Sequence, residues 1–77
     1  MENRIKELRA KHNLTQEKLA KLLSVSRQTI IMIEQGKFNP SLDLSFKLST
    51  VFNESIEKIF IRSEPSIIEE HHKRGYR

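Results

Sequence analysis

Cysteine is absent from this sequence, glycine and proline occur twice each, and Asp43 is the lone aspartate. Without cysteine there are no disulfides and no thiolate metal sites, which fits a reducing, intracellular setting. So few glycines and prolines argue against a turn-rich β architecture. With no thiol and one aspartate, no nucleophile–base–acid grouping suggests itself, and the reading is of a protein that is not an enzyme and needs no cofactor. Long apolar runs are missing too. The opening "MENRIKELRAKHN" is charged throughout, and nothing approaches membrane-spanning length, so a cytosolic protein with no membrane partner is expected.

What is present is a chain of 77 residues, enough for one small domain. Such a domain buries a modest share of its surface, so association is the expected source of extra support. The net charge is +4 and the pI about 9.7. Up to Lys37 there are eight Lys/Arg against four Glu, whereas from Phe38 onward there are six basic against six acidic residues. A positive field confined to one half points to a polyanionic partner, nucleic acid or an acidic membrane surface, or else to an ordinary solvated basic face.

Helical spacing and helix punctuation recur along the chain. A first helix is predicted from Glu2 to His12 with Ile5 and Leu8 inward, ending near Asn13. Thr15 caps a second helix over Gln16 to Leu23 that buries Leu19, Ala20 and Leu23. After the short Ser24-Val25 connector, Ser26 caps a third helix reaching Gln35, with Gly36 as the stop. Ser41 caps a fourth helix to Phe52, in which Leu44, Leu48 and Val51 form a stripe flanked by Leu42 and Phe52. Asn53 closes it, and Ser55 caps a short fifth helix carrying Ile56, Ile59 and Phe60. The expected fold is all-α, a compact five-helix domain over residues 1–61, with residues 62–77 as a C-terminal extension.

The third helix, "SRQTIIMIEQGK", carries four apolar residues in a row, Ile30 to Ile33. Ile30 and Ile33 share a face and belong in the core. Ile31 and Met32 then point away from it, beside Arg27 and Gln28. Such a face suits the DNA major groove: Arg pairs with guanine, Gln with adenine, and apolar groups pack on thymine methyls. The competing reading is an apolar interface for a protein partner.

The stretch "LTQEKLAKLLSVSRQTIIMIEQGKFNPS", Leu14 to Ser41, resembles the helix-turn-helix of the phage-repressor-like family, the XRE or lambda-repressor-like regulators. The resemblance extends over residues 3 to 60, with Gln16, Leu19, Ala20, Val25, Ser26, Ile30, Glu34, Gly36 and Lys37 in register. It implies five helices, the second and third forming the helix-turn-helix. It further implies that Arg27, Gln28 and Met32 read base edges, with Ile31 beside them against the backbone or a thymine methyl. By the same resemblance Gln16 holds a phosphate at the second helix's N-terminus, where unpaired N–H groups favour an anion. Gln35, Lys37 and the backbone at Phe38 match a second phosphate clamp, and Ser26 and Thr29 add hydroxyl contacts. Arg9 and Glu34 match a salt bridge between the first and third helices, one that also orients the arginine toward a phosphate; its plainer reading is a surface pair worth under about 1 kcal/mol.

This sequence departs from the family at Asn13, Ser24 and Asn53, where glycine is common; strain or a shifted turn is expected at Ser24. Lys18 stands where Glu would complete a capping box with Thr15. Met32 replaces a polar reader, which weakens hydrogen-bonded specificity at that base pair.

The function implied is a sequence-specific double-stranded DNA-binding transcriptional regulator, a homodimeric repressor, with no small-molecule effector evident. The alternative is a protein-interaction module on the same fold, antitoxin-like or an adaptor, in which Ile31 and Met32 dock a protein. His12 reads as a cation at a helix C-terminus. "EEHHKR", Glu69 to Arg74, reads as a solvated tail rather than a metal site. The apolar pair Ile67-Ile68 reads as part of a dimerisation segment with the fifth helix, or as a stretch that folds back on its own domain; the basic end beyond it reads as a disordered tail.

Overall fold

The structure, a computed structural model, describes residues 2–61. The element order is β1 (Glu2–Asn3), α1 (Ile5–Lys11), α2 (Gln16–Leu23), α3 (Arg27–Glu34), α4 (Leu42–Phe52), α5 (Ile56–Ile59) and β2 (Phe60–Ile61). The five expected helices are all present.

Three of them start as expected. The hydroxyls of Thr15, Ser26 and Ser41 each accept from the backbone N–H three residues on, at Lys18, Thr29 and Leu44, satisfying one of the donors a helix start leaves open. Ser55 stands at the N-cap of α5 with no side-chain cap bond. The first four helices also end alike. A residue with positive φ, namely Asn13, Ser24, Gly36 or Asn53, follows each helix. The next N–H, of Leu14, Val25, Lys37 or Glu54, reaches back to Arg9, Ala20, Met32 or Ser49, closing the helix with a 6→1 bond. Asparagine tolerates this left-handed turn; serine lacks that advantage. Ser24 sits there at φ 58° and ψ 41°, so the strain expected at this bend is real and the turn is not shifted. Ser24→Gly is expected to stabilise the domain by about 0.5–1 kcal/mol, the relief of strain exceeding glycine's entropic cost, and thermal unfolding checks this.

One core joins all the helices: Ile5 and Leu8 of α1, Leu19, Ala20 and Leu23 of α2, Ile30 and Ile33 of α3, Leu44, Leu48 and Phe52 of α4, with Ile59 and Phe60. Leu14, Val25, Val51 and Ile56 pack around it. The expected stripe is thus inward, with one correction. Leu42, expected beside the stripe, is 68% exposed because it lies roughly half a turn round α4 from Leu44, on the outward face it shares with Phe46.

A second difference lies at the ends of the domain. The first helix begins at Ile5 rather than Glu2, because residues 2–3 pair antiparallel with residues 60–61, Glu2 opposite Ile61 and Asn3 opposite Phe60. Two residues per strand leave no alternation for a sequence pattern to reveal. Arg4 reinforces this closure, donating its backbone N–H to the Ile59 carbonyl and Nη1 to that of Lys58. It also donates to Glu7, and that hydrogen bond, with the guanidinium charge, holds the Glu7 carboxyl below its usual range. The contribution is present above the ordinary carboxylate range and lost as pH falls through the lowered folded value; the pair's contact with solvent keeps it small.

Candidate nucleic-acid interface

The short connector after α2 fixes α3 across it, and Val25 packs on the core at the joint. This sets the N-terminus of α3 beside the start of α2. Arg27 and Gln28 are exposed there, as expected. Ile31 and Met32, one turn further, are half-buried rather than fully clear of the domain. Thr29 is half-buried, and its hydroxyl lies 3.0 Å from that of Ser26, so both oxygens are partly engaged with each other.

A polar chain runs beneath this surface from one helix to the next. Arg9 on α1 donates to both carboxylate oxygens of Glu34 on α3, from Nε at 2.6 Å and Nη2 at 3.3 Å. Its Nη1 donates to the Leu14 carbonyl at 3.1 Å, which ties the α1–α2 turn to the same centre. The arginine and glutamate side chains are 14% and 9% exposed, so this pair is largely withdrawn from water and is no loose surface contact. Three bonds to protein leave the guanidinium two of its five N–H groups.

Glu34 also accepts from the Gln16 side-chain amide, at 3.1 Å. That bond takes one of the two N–H groups of the amide and turns its oxygen outward. The oxygen meets Arg27, whose Nε donates at 3.4 Å, a long and therefore weak bond. Held by Nε, Arg27 keeps both terminal nitrogens without an acceptor among the described residues. Gln16 is accordingly a bridge between Glu34 and Arg27, a role its position in the sequence did not disclose.

Open backbone donors flank these side chains. Among the described residues no hydrogen bond takes the N–H of Gln16 or Glu17 at the start of α2, or that of Phe38 beyond α3. An anion set at either place would meet unpaired N–H groups, aided at α2 by the helix dipole. Gln35, Lys37 and Phe38 are exposed around the second place. Asn3 is a residue that sequence reasoning missed altogether. Its Nδ2 donates to the Ile33 carbonyl at 2.8 Å and its Oδ1 accepts from the Ile5 N–H, so β1 anchors the end of α3. An asparagine near a chain's start carries no pattern that announces such a contact.

Among the described residues no group of three or more His, Asp or Glu side chains is arranged to hold a metal ion; "EEHHKR" lies outside those residues. None of the described helices is long and apolar enough to cross a membrane.

Comparison with known proteins matches the helix-turn-helix family to residues 5–59. An uncharacterized HTH-type transcriptional regulator of Archaeoglobus fulgidus is 55% identical over 69 residues, covering 90% of this chain and 97% of the relative. Another from Methanocaldococcus jannaschii is 62% identical over 61 residues, 79% of this chain and 92% of the relative. Among solved structures, the restriction-modification controller protein C.AhdI from Aeromonas hydrophila superposes with a TM-score of 0.66 at 35% identity, over 74% of this chain and 86% of that one. The resemblance drawn from the sequence is therefore sound, and the chain belongs to the helix-turn-helix family.

Proposed function

We propose that this protein is a sequence-specific double-stranded DNA-binding transcriptional regulator, a homodimeric repressor of the cytoplasm that lays α3 in the major groove. The observation that carries the reading is the outward Arg27, exposed at the start of α3. Its Nε makes only a weak contact with Gln16, and both terminal nitrogens are free among the described residues to meet guanine O6 and N7 together. Relatives named as transcriptional regulators over nearly their whole length support the same reading.

In this reading Arg27 and Gln28 read base edges, and Met32 and Ile31 pack on thymine methyls. Gln16, Ser26 and Thr29 meet the phosphates at the α2 side. Gln35, Lys37 and the Phe38 N–H grip a second phosphate. Arg9 acts mainly by fixing Glu34, and a phosphate contact from it uses an N–H left over from that pair. A homodimer doubles the short stretch one helix can read and matches a two-fold site with half-sites about one DNA turn apart. No catalysis and no cofactor enter the reading. The half-burial of Ile31 and Met32 disfavours the alternative of a protein-docking face, which needs more free apolar area than they leave.

Two substitutions test the division of labour. Arg27→Ala is expected to cost about 1–3 kcal/mol on the preferred site and to relax preference at one base pair. Lys37→Ala is expected to weaken all sequences alike and to lower the slope of affinity against salt by about one. Fluorescence anisotropy on the preferred site and on random duplex reads both. Equal losses from Arg27→Ala on the two DNAs would remove its base-reading role.

A further inference from the structure

An apolar groove of about 550 Å³ opens on the side formed by α5, β2 and the turn before α4. Pro40, Ile56, Phe60 and Ile61 line it, with Asn39 and Glu57 at its rim. Ile56 is half-buried and Ile61 40% exposed, so the groove leaves aliphatic surface uncovered in a domain with little core to spare. Ile61 is also the last residue of β2, so the chain leaves the domain at the groove's own wall.

We propose that this groove is the docking site of the chain's own following segment, with Ile67 and Ile68 seated against Pro40, Ile56 and Phe60. From Ile61 to Ile67 an extended chain spans up to about 20 Å, enough to run out and return to the adjoining surface. Ile67-Ile68 is the one adjacent pair of large aliphatic residues in positions 62–77. Tethering at Ile61 gives that pair a high effective concentration at the groove, which a second copy approaches only at high protein concentration. Glu64, Glu69 and Glu70 flank the pair and share the sign of Glu57, so they stay in solvent and the aliphatic pair alone enters. The domain then extends past Ile61, and the clasp bears on β2, hence on β1 and on the Asn3 contact that anchors α3.

Methyl-labelled full-length protein, at a concentration where sedimentation reads monomer, tests this without DNA, so its outcome is independent of the DNA-binding reading. Nuclear Overhauser cross-peaks from Ile67 and Ile68 to Ile56 and the Phe60 ring are expected within one chain. The double variant Ile67→Ser/Ile68→Ser is expected to lose them and to raise the unfolding equilibrium constant on the order of tenfold or more. Absent cross-peaks would overturn the proposal, as would an unchanged unfolding constant. Cross-peaks that persist between labelled and unlabelled chains in a mixed sample would also overturn it, by making a second copy the occupant.

Discussion

Glu34→Ala should destabilise the domain by roughly 3 kcal/mol or more, far beyond the value of a surface ion pair. Its carboxylate receives two bonds from Arg9 and one from Gln16 and joins all three of the first helices. Removing it leaves the Arg9 guanidinium in a site only 14% exposed, still bonded to the Leu14 carbonyl but without a counter-charge. Truncating one member of a withdrawn pair costs more than the pair is worth, because the survivor stays desolvated and unpaired. The double replacement Arg9→Met/Glu34→Leu removes both charges and should recover most of the loss. It does not restore the partner of the Gln16 amide, so Gln16 is no longer fixed beside Arg27 and DNA discrimination is expected to stay below the parent's in the stable double variant. Urea denaturation of Glu34→Ala and of the double variant, with DNA binding of the double read by anisotropy, separates the structural role from the reading role. A Glu34→Ala protein as stable as the parent would show that the pair is an ordinary surface contact after all.

Phe52→Ala should cost about 3–5 kcal/mol, the range for losing a large buried aromatic. Phe52 is 2% exposed at the end of α4, with the His12 ring 5.6 Å from its own. It therefore holds the last turns of α1 and α4 together, just before the left-handed Asn53. A chain of this size has roughly 4–12 kcal/mol in all, so the variant should be largely unfolded on modest warming. Phe46 on the same helix supplies the control: at 57% exposed, its replacement by alanine should change stability by no more than about 0.5 kcal/mol. Similar losses from the two would mean that α4 does not present the face described.

The contrast between those phenylalanines shows how far the sequence alone could be read. Phe52 was placed by the i, i+4, i+7 stripe it flanks, and capping serine and threonine fixed where α2, α3 and α4 begin. Periodicity worked wherever a helix was long enough to repeat. Leu42 departs from the expected flank because it lies two residues before Leu44, roughly half a turn round α4, and so shares the outward face of Phe46 rather than that of Leu44 and Leu48. The strand pair that ties residues 2–3 to residues 60–61 was not legible at all, being too short for any pattern and too distant in sequence for local turn chemistry.

At the candidate interface the residue types in the α2–α3 register identified the surface, but not its wiring. The Arg9–Glu34 pairing came from resemblance. That Gln16 turns its amide nitrogen to Glu34 and its oxygen to Arg27 depends on the angle between α2 and α3, which no one-dimensional spacing encodes. Asn3 was invisible for the same reason.

Selection of this protein's binding sites from a random duplex library at physiological salt, followed by sequencing, tests the proposed role most directly. Enrichment of a two-fold symmetric site, with guanine at the position that Arg27→Ala relaxes, is the expected result. Retention of DNA with no enriched sequence would contradict it, leaving a protein that grips phosphates and reads nothing.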